Sequence, residues 1–384
     1  MGADDQYDLK SMNVSDQVSQ PRDGPIDNFP TELEKQTRTR RLFSTAQLFA
    51  FSIMYLMTWG SVGSNMYFAL FNGGPTAWFF GYFIVVSGVL AQAASFAEMA
   101  SILPVAGAHI KRFLTWLQGW STWTAYVAIT GSILNANAVI FEGLIAMNYP
   151  SYEPGGWRTT LQILANLAFC VFINMFAFRV VPWFEMLAGI LNVCLFVIYI
   201  VVLWVMSPRN SADIFWQTNV SSGYKDYFIA ANVGSLSHIF LFIAFEGVIH
   251  MSEETRNAHR AVPCAMFWSM FTNFWIGLVM LVTLMICMPD VETVLNGPSP
   301  FVTVLLHATR STKAATAMVA GLMVMAISCN MSSISSTSRL TWAWARDGGL
   351  PKWFGHVDGK HRVPLRALAL TSIITIALSL LFSP

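Results

Sequence analysis

Glu246 makes the heaviest demand on its surroundings of any residue in this chain. It stands beside Gly247 in Phe240-Leu241-Phe242-Ile243-Ala244-Phe245-Glu246-Gly247-Val248-Ile249-His250, an apolar stretch with no other acid. A carboxylate at membrane depth is expensive, so it marks a pathway for a proton, a cation or a substrate ammonium. The competing reading is a carboxylate that caps a helix or reaches for the interface near His250. A second segment, Trp59-Gly60-Ser61-Val62-Gly63-Ser64-Asn65, sets two glycines and small polar residues midway along another apolar run. Glycine makes an unwound turn inexpensive there. The alternative is close helix packing through small residues.

These segments fall in the first and sixth of the membrane crossings assigned below, the separation of a five-helix inverted repeat. In such repeats two broken helices meet at the midplane, and their freed backbone groups bind substrate. Freed N–H groups favour a carboxylate, and freed carbonyls with Glu246 favour a cation or proton. The expected binding set is therefore Trp59, Gly60, Ser61, Val62 and Gly63 with Phe242, Ala244, Phe245, Glu246 and Gly247. Phe242 and Phe245 would wall the pocket, and an aromatic face could hold a quaternary ammonium.

A polar run, Ser328-Cys329-Asn330-Met331-Ser332-Ser333-Ile334-Ser335-Ser336-Thr337-Ser338, reads either as a helix face on a wet cavity or as hydroxyls bonded to their own backbone. Ser332 and Ser333 join Glu246 as expected ion-coupling residues. Glu98, Glu142 and Glu185 fall at span ends, where interfacial solvation accounts for them, and no chemistry is assigned to them. Cys170, Cys194, Cys264, Cys287 and Cys329 are dispersed without a CxxC pair, and no HExxH occurs. No metal, disulfide framework or cofactor is expected. A membrane-embedded enzyme would need a catalytic cluster at one face, and the sequence offers none.

What must position these residues is a bundle of membrane helices. The 384 residues are 55% hydrophobic and 11% charged, with a mean hydropathy of +0.52, whereas soluble domains are about a quarter charged. The net charge of +1 gives no surface for nucleic acid. Soluble dehydrogenases, nucleases and DNA-binding proteins are excluded, and the lipid bilayer is the expected partner. Residues 42–97 carry no charge, and Asn72-Gly73-Gly74-Pro75 divides them into spans near 45–70 and 76–97. Further uncharged windows at 113–141, 159–178, 186–208, 227–245, 261–289, 314–338 and 367–384 bring the expectation to nine.

With a cytosolic N-terminus, Arg158, Arg209, Lys225, Arg310 and Lys313 are the outer ones among 22 Lys and Arg, as the retention of basic residues in cytoplasmic loops requires. Asn219-Val220-Ser221 then places a glycosylation sequon at Asn219 outside. Residues 1–44, with eight acidic and six basic residues, read as a disordered cytosolic tail without a signal peptide.

Several of these segments occur in the order found in one family. They are Asn72-Gly73-Gly74-Pro75, Ala97-Glu98-Met99-Ala100-Ser101 with Pro104 and Gly107, His250-Met251-Ser252-Glu253-Glu254 with Asn257 and Pro263, and Ser338 to Pro351. In them the sequence resembles the amino acid, polyamine and organocation permeases, and among these the fungal amino acid, GABA and choline branch. The resemblance runs over residues 45–384. It implies an all-α, leucine-transporter-type inverted-repeat bundle in the plasma membrane, ahead of the vacuole or another internal membrane. It also implies secondary active transport, by alternating access and usually proton-driven, of a small amino acid or amine such as GABA or choline.

The chain departs from that family in span number, twelve being usual. Residues 45–384 are thus expected to be an incomplete permease domain, spans 1 to 9, truncated at the C-terminus. A transport-inactive or nutrient-sensor-like protein stands as the alternative. Cys264 replaces a basic residue that often follows Val-Pro, and Ala108-His109-Ile110-Lys111-Arg112 replaces a Gly-Gln-Tyr-His-Trp kind of segment. The sequence does not choose among neutral amino acids, GABA and choline, or between coupling ions, and nothing in it specifies an oligomeric state.

Overall fold

The computed structural model describes residues 41–102, 112–149, 151–153, 155–297, 299–359 and 362–380. The expected tail up to residue 40, Pro104, Gly107 and Ala108 to Lys111 lie outside them. Everything described is helix and connecting loop. In chain order come α1 (Thr45–Leu56), α2 (Thr58–Asn72), α3 (Gly74–Ile102), α4 (Arg112–Asn148), α5 (Trp157–Phe176) and α6 (Val181–Met206). They are followed by α7 (Tyr227–Gly234), α8 (Leu236–Phe242), a 3₁₀ segment (Phe245–Glu254), α9 (Ala258–Cys287), α10 (Val291–Asn296), α11 (Pro300–Thr309), α12 (Thr312–Arg346) and α13 (Leu365–Ser379).

Helices dominate because hydrocarbon offers no hydrogen bonds to an open backbone. Helix α6 shows how the sequence sorts its faces. Leu187, Ile190, Val193, Val197, Val201 and Val205 are exposed, whereas Glu185, Ala188, Asn192, Tyr199 and Leu203 are buried. The apolar face is turned outward to lipid and the polar positions inward, on a period that one helix face repeats.

Seven helices among the described residues are long and apolar enough to cross a membrane, against the nine windows expected. The first window, 45–70, becomes α1 and α2, each below spanning length, and the last becomes the fifteen-residue α13. Helix α12 runs past its expected end at 338 to Arg346, because Arg339 is buried and paired. Residues 41–44, read as tail, are held: Ser44 caps α1 in a reciprocal capping box with Gln47.

The glycine signals are displaced from the breaks. The first crossing breaks at Met57, in the left-handed region (φ 41°, ψ 43°), and Gly60 and Gly63 sit inside α2. A left-handed backbone costs a residue with a Cβ about 1–2 kcal/mol. Gly60 makes room for it: a Cβ there would lie 2.7 Å from the Met57 methyl and 3.0 Å from Leu322. The sixth crossing breaks at Ala244 (φ 65°) after an extended Ile243. Gly247 lies within the following 3₁₀ turn, where any side chain would strike the Tyr55 ring. The glycines are close-packing residues, and the breaks fall three residues before each of Gly60 and Gly247. The expected turn at 72–75 is present, with Gly74 at φ 72° and its Cα against the Asn219 backbone.

A Cβ on Gly63 would lie 2.6 Å from the Phe301 ring. Gly63→Ala is therefore expected to lower the stability of the detergent-solubilised protein by about 1–3 kcal/mol. Gly88→Ala, with nothing within 4 Å, serves as the control and should leave the thermal unfolding curve in place or raise its midpoint.

Candidate functional site

The two breaks face one another. Past the first, the Thr58 hydroxyl lies 3.5 Å from the Leu241 carbonyl, the last turn before the second. Before it, the Tyr55 ring covers Gly247. The Gly247 carbonyl accepts from Ser336 Oγ at 3.2 Å, and Ser336 Oγ is 2.9 Å from His250 Nδ1. Since Ser336 spends its proton on Gly247, His250 Nδ1 is the donor in that pair. The Tyr126 ring stands edge-on to His250 at 4.7 Å. Glu246 is half-buried. The buried hydroxyls of Tyr55 and Tyr126 lie within electrostatic reach of its carboxylate. A carboxylate and two buried phenols thus converge beside the paired breaks.

The first N–H groups of α2, on Thr58, Trp59 and Gly60, precede its first backbone bond, Ser61 N to Met57 O at 3.0 Å. A helix start of this kind favours an anion. Ser61 is half-buried and donates to Leu56 O at 3.4 Å.

Other expected site residues point elsewhere. Trp59 is fully buried; its indole N–H donates to Asn192 Oδ1 at 2.6 Å, and its ring packs on Tyr199 at 4.9 Å. It pins α2 to α6. Val62 is buried, Phe242 packs on Tyr82 and Phe245 on Phe96. The aromatic pair is thus engaged with α3.

The polar run of α12 is buried, and its hydroxyls bond mostly across helices. Ser333 meets Thr130 of α4 at 3.0 Å, Thr130 meets Thr337 at 2.9 Å, and Ser335 donates to Asn174 of α5 at 2.6 Å. The Ser332 hydroxyl lies beside the Glu185 carboxyl. Ser328 donates to Glu185 Oε2 at 2.6 Å. Glu185 is therefore not interfacial; it is 0% exposed, inside the bundle. It stands one residue outside the uncharged window 186–208, so charge spacing alone puts it at a span end. The i, i+3, i+7 pattern of Glu185, Ala188 and Asn192 would have found it. Tyr55 and Tyr126, both inside uncharged windows, have no role in the sequence reading, and His250 and Ser336 stand in the two runs quoted above without a role of their own. Glu142 is an anchor, accepting from Thr159 Oγ1 at 2.7 Å and Gly155 N at 3.1 Å, whereas Glu98 is exposed.

At the membrane face where α1 begins, the bundle is latched. Arg339 Nε meets Glu254 Oε1 at 3.2 Å, both side chains 2% exposed, and the Arg339 guanidinium lies 4.0 Å from the Phe178 ring centre. Leu42 N and Phe43 N donate to Glu254 O at 2.9 and 3.0 Å, and Arg256 N returns to Phe43 O at 2.9 Å. Arg346 pairs with Glu253 at 2.7 Å. At the other face, Asn219 Nδ2, the nitrogen a glycan would occupy, donates to Leu70 O at 3.4 Å.

The sequence profile described as amino acid permease matches residues 43–384, from the latch to the last residue. The chain belongs to the amino acid permease family. It is thereby a membrane transporter of the amino acid, polyamine and organocation type, not an enzyme. A putative amino acid/polyamine transporter of Macrophomina phaseolina is 24% identical over 87% of this chain and 78% of its own length. A GABA-specific permease of Saccharomyces cerevisiae is 25% identical over 91% of this chain and 65% of its own length. The permease fold is similar to that of Mhp1, a nucleobase-cation-symport-1 family transporter solved in a closed conformation with bromovinylhydantoin bound. The TM-score is 0.55 at 12% identity, over 89% of this chain and 74% of that one. The permease is thus all-α and multi-span, with a likeness to the leucine-transporter-type inverted-repeat fold.

Removing one partner of a buried ion pair costs about 3–5 kcal/mol. In a permease keeping Cys329 as its sole cysteine, Arg339→Ala is expected to speed labelling of that buried thiol from the latch face, and the swap Arg339→Glu with Glu254→Arg to slow it again. Unchanged labelling in the single variant would show that the pair does not close this face.

Proposed function

We propose that the chain is a secondary active transporter of a small amino acid or amine, working by alternating access, with substrate held where the breaks at Met57 and Ala244 meet. The observation that carries this is the pairing of the two breaks, with an anion-favouring helix start at one and the half-buried Glu246 carboxylate two residues past the other. A zwitterion would place its carboxylate at the N–H groups of Thr58, Trp59 and Gly60, and its ammonium at Glu246 beside Tyr55 and Tyr126. The yeast relative named as GABA-specific supports including ω-amino acids among the substrates, and proton coupling is part of the same reading. The N-terminus is taken as cytosolic, in a plasma-membrane protein of nine crossings, with the first counted as α1 plus α2.

Purified protein in liposomes should take up at least one member of a radiolabelled panel of neutral amino acids, GABA and choline. A hydrogen bond to a charged group contributes about 1.5–3 kcal/mol, so Glu246→Gln should cut uptake by roughly tenfold or more with membrane insertion intact. Wild-type uptake in that variant would remove Glu246 from the site. A wild-type chain that moves no member of the panel, even by exchange, would favour the sensor reading.

The orientation has its own check. An epitope at residue 5 should resist external protease and one at residue 221 should be cleaved; the reverse would invert every assignment of sides.

A further inference from the structure

Helix α9 keeps one face outside the bundle. Arg260, Cys264, Trp268, Phe271, Trp275 and Val279 recur every three or four residues and are all exposed, Trp268 and Trp275 by 52% and 50%. That spacing puts them on a single stripe, along a helix long and apolar enough to cross a membrane. The stripe is basic at one end and aromatic beyond it. At the basic end Arg256, two residues before α9, adds a second exposed guanidinium.

The other arginines of this membrane face are engaged. Arg339 and Arg346 pair with Glu254 and Glu253, the acids nearest in sequence to Arg256, and Arg339, Arg346 and Arg366 each lie over an aromatic ring. Among the described residues Arg260 meets neither a carboxylate nor a ring, and the Arg256 side chain gives only its Nε, to the Arg41 carbonyl at 3.4 Å. Retention of basic residues in cytoplasmic loops accounts for the side these two occupy, but it supplies no counterion. The stripe they head runs on into hydrocarbon, about 12 Å from Arg260 to Trp268 and about 22 Å to Trp275. A molecule that matches both ends has an anionic head and an acyl tail.

We propose that Arg256, Arg260 and the exposed stripe of α9 bind an anionic phospholipid, its phosphate at the two guanidiniums and an acyl chain along Trp268 and Phe271. The guanidinium fork matches two phosphate oxygens at once. Arg256 also belongs to the latch, since its backbone N–H donates to Phe43 O at 2.9 Å. The headgroup therefore borders the start of α1, and a lipid held by the folded protein stabilises it by mass action. This goes beyond the transport reading and holds whether or not the chain moves a substrate.

Native mass spectrometry of the purified protein in mixed micelles of phosphatidylserine and phosphatidylcholine reads the preference directly. One basic group near a membrane surface gives about fivefold, so the wild type should retain phosphatidylserine over phosphatidylcholine by roughly thirtyfold. Arg256→Gln with Arg260→Gln should bring that ratio to about one, and Arg256→Lys with Arg260→Lys should keep most of it. Lys352→Gln, which removes an exposed charge from the loop after α12, should leave it unchanged. Phosphatidylserine should also raise the thermal unfolding midpoint of the wild type and not that of the double Gln variant. Arg260→Gln alone, at a side chain with no partner to lose among the described residues, should cut the ratio about fivefold and decides the matter if the double variant does not fold. A ratio near one in the wild type, or no change in Arg260→Gln, overturns the proposal. So does an equal loss in Lys352→Gln, which would show diffuse attraction, or release of bound phosphatidylserine by inorganic phosphate, which would make the site one for a soluble anion.

Discussion

Hydrocarbon withholds hydrogen bonds from any backbone that crosses it, and each unsatisfied group costs several kcal/mol. That constraint makes helices of everything touching lipid here and confines irregular backbone to the interior. The interruptions at Met57 and at Ile243–Ala244 obey it by sitting side by side, enclosed by α12 and by their own neighbouring helices. Two breaks placed apart would each need a separate shield. Placed together, they share one, and the two breaks are tied to each other and to α12 by hydrogen bonds.

Helix α12 supplies most of that shield. Its hydroxyls reach α4, α5, α6 and the 3₁₀ segment in turn. Hydrogen bonds between membrane helices contribute on average only about 0.6 kcal/mol each, because a separated helix finds other partners. A row of serines and threonines thus sets the register of four neighbours without gluing them, as a helix needs if its neighbours part and close again. The stronger tie, Arg339 with Glu254 and Phe178, is kept at one end of α12.

The helical class and the near positions of the crossings were legible in the sequence, since charge spacing and helix length both follow from bilayer thickness. The reason for each glycine was not. Gly60 and Gly247 lie three residues after the breaks, the first clearing space for Met57 and the second for Tyr55. A sequence shows that a side chain is missing but not which neighbour fills the gap. Trp59 stands in the expected binding set, yet its indole needs a buried acceptor, and Asn192 on a distant helix provides it. Glu254 and Arg339 stand 85 residues apart, and neither their pairing nor its burial follows from the spacing of charges. Glu185 escaped because a charge next to an apolar window looks the same whether it faces water or the interior.

The unequal anchoring of the two halves of the first crossing has a mechanical consequence. Just past Met57, α2 is fastened to α6 by Trp59 and at its far end to the loop at Asn219. The start of α1, by contrast, is tied at residues 42 and 43 to the backbone around Glu254, which Arg339 holds. Twelve residues of helix make an arm of roughly 18 Å, so a rotation of about 15° at Met57 would sweep its tip about 5 Å. A single residue in a left-handed conformation can thus serve as the fulcrum of a lever. The small change of torsion would occur inside the bundle at the paired breaks, and the large displacement would occur where the bundle meets water.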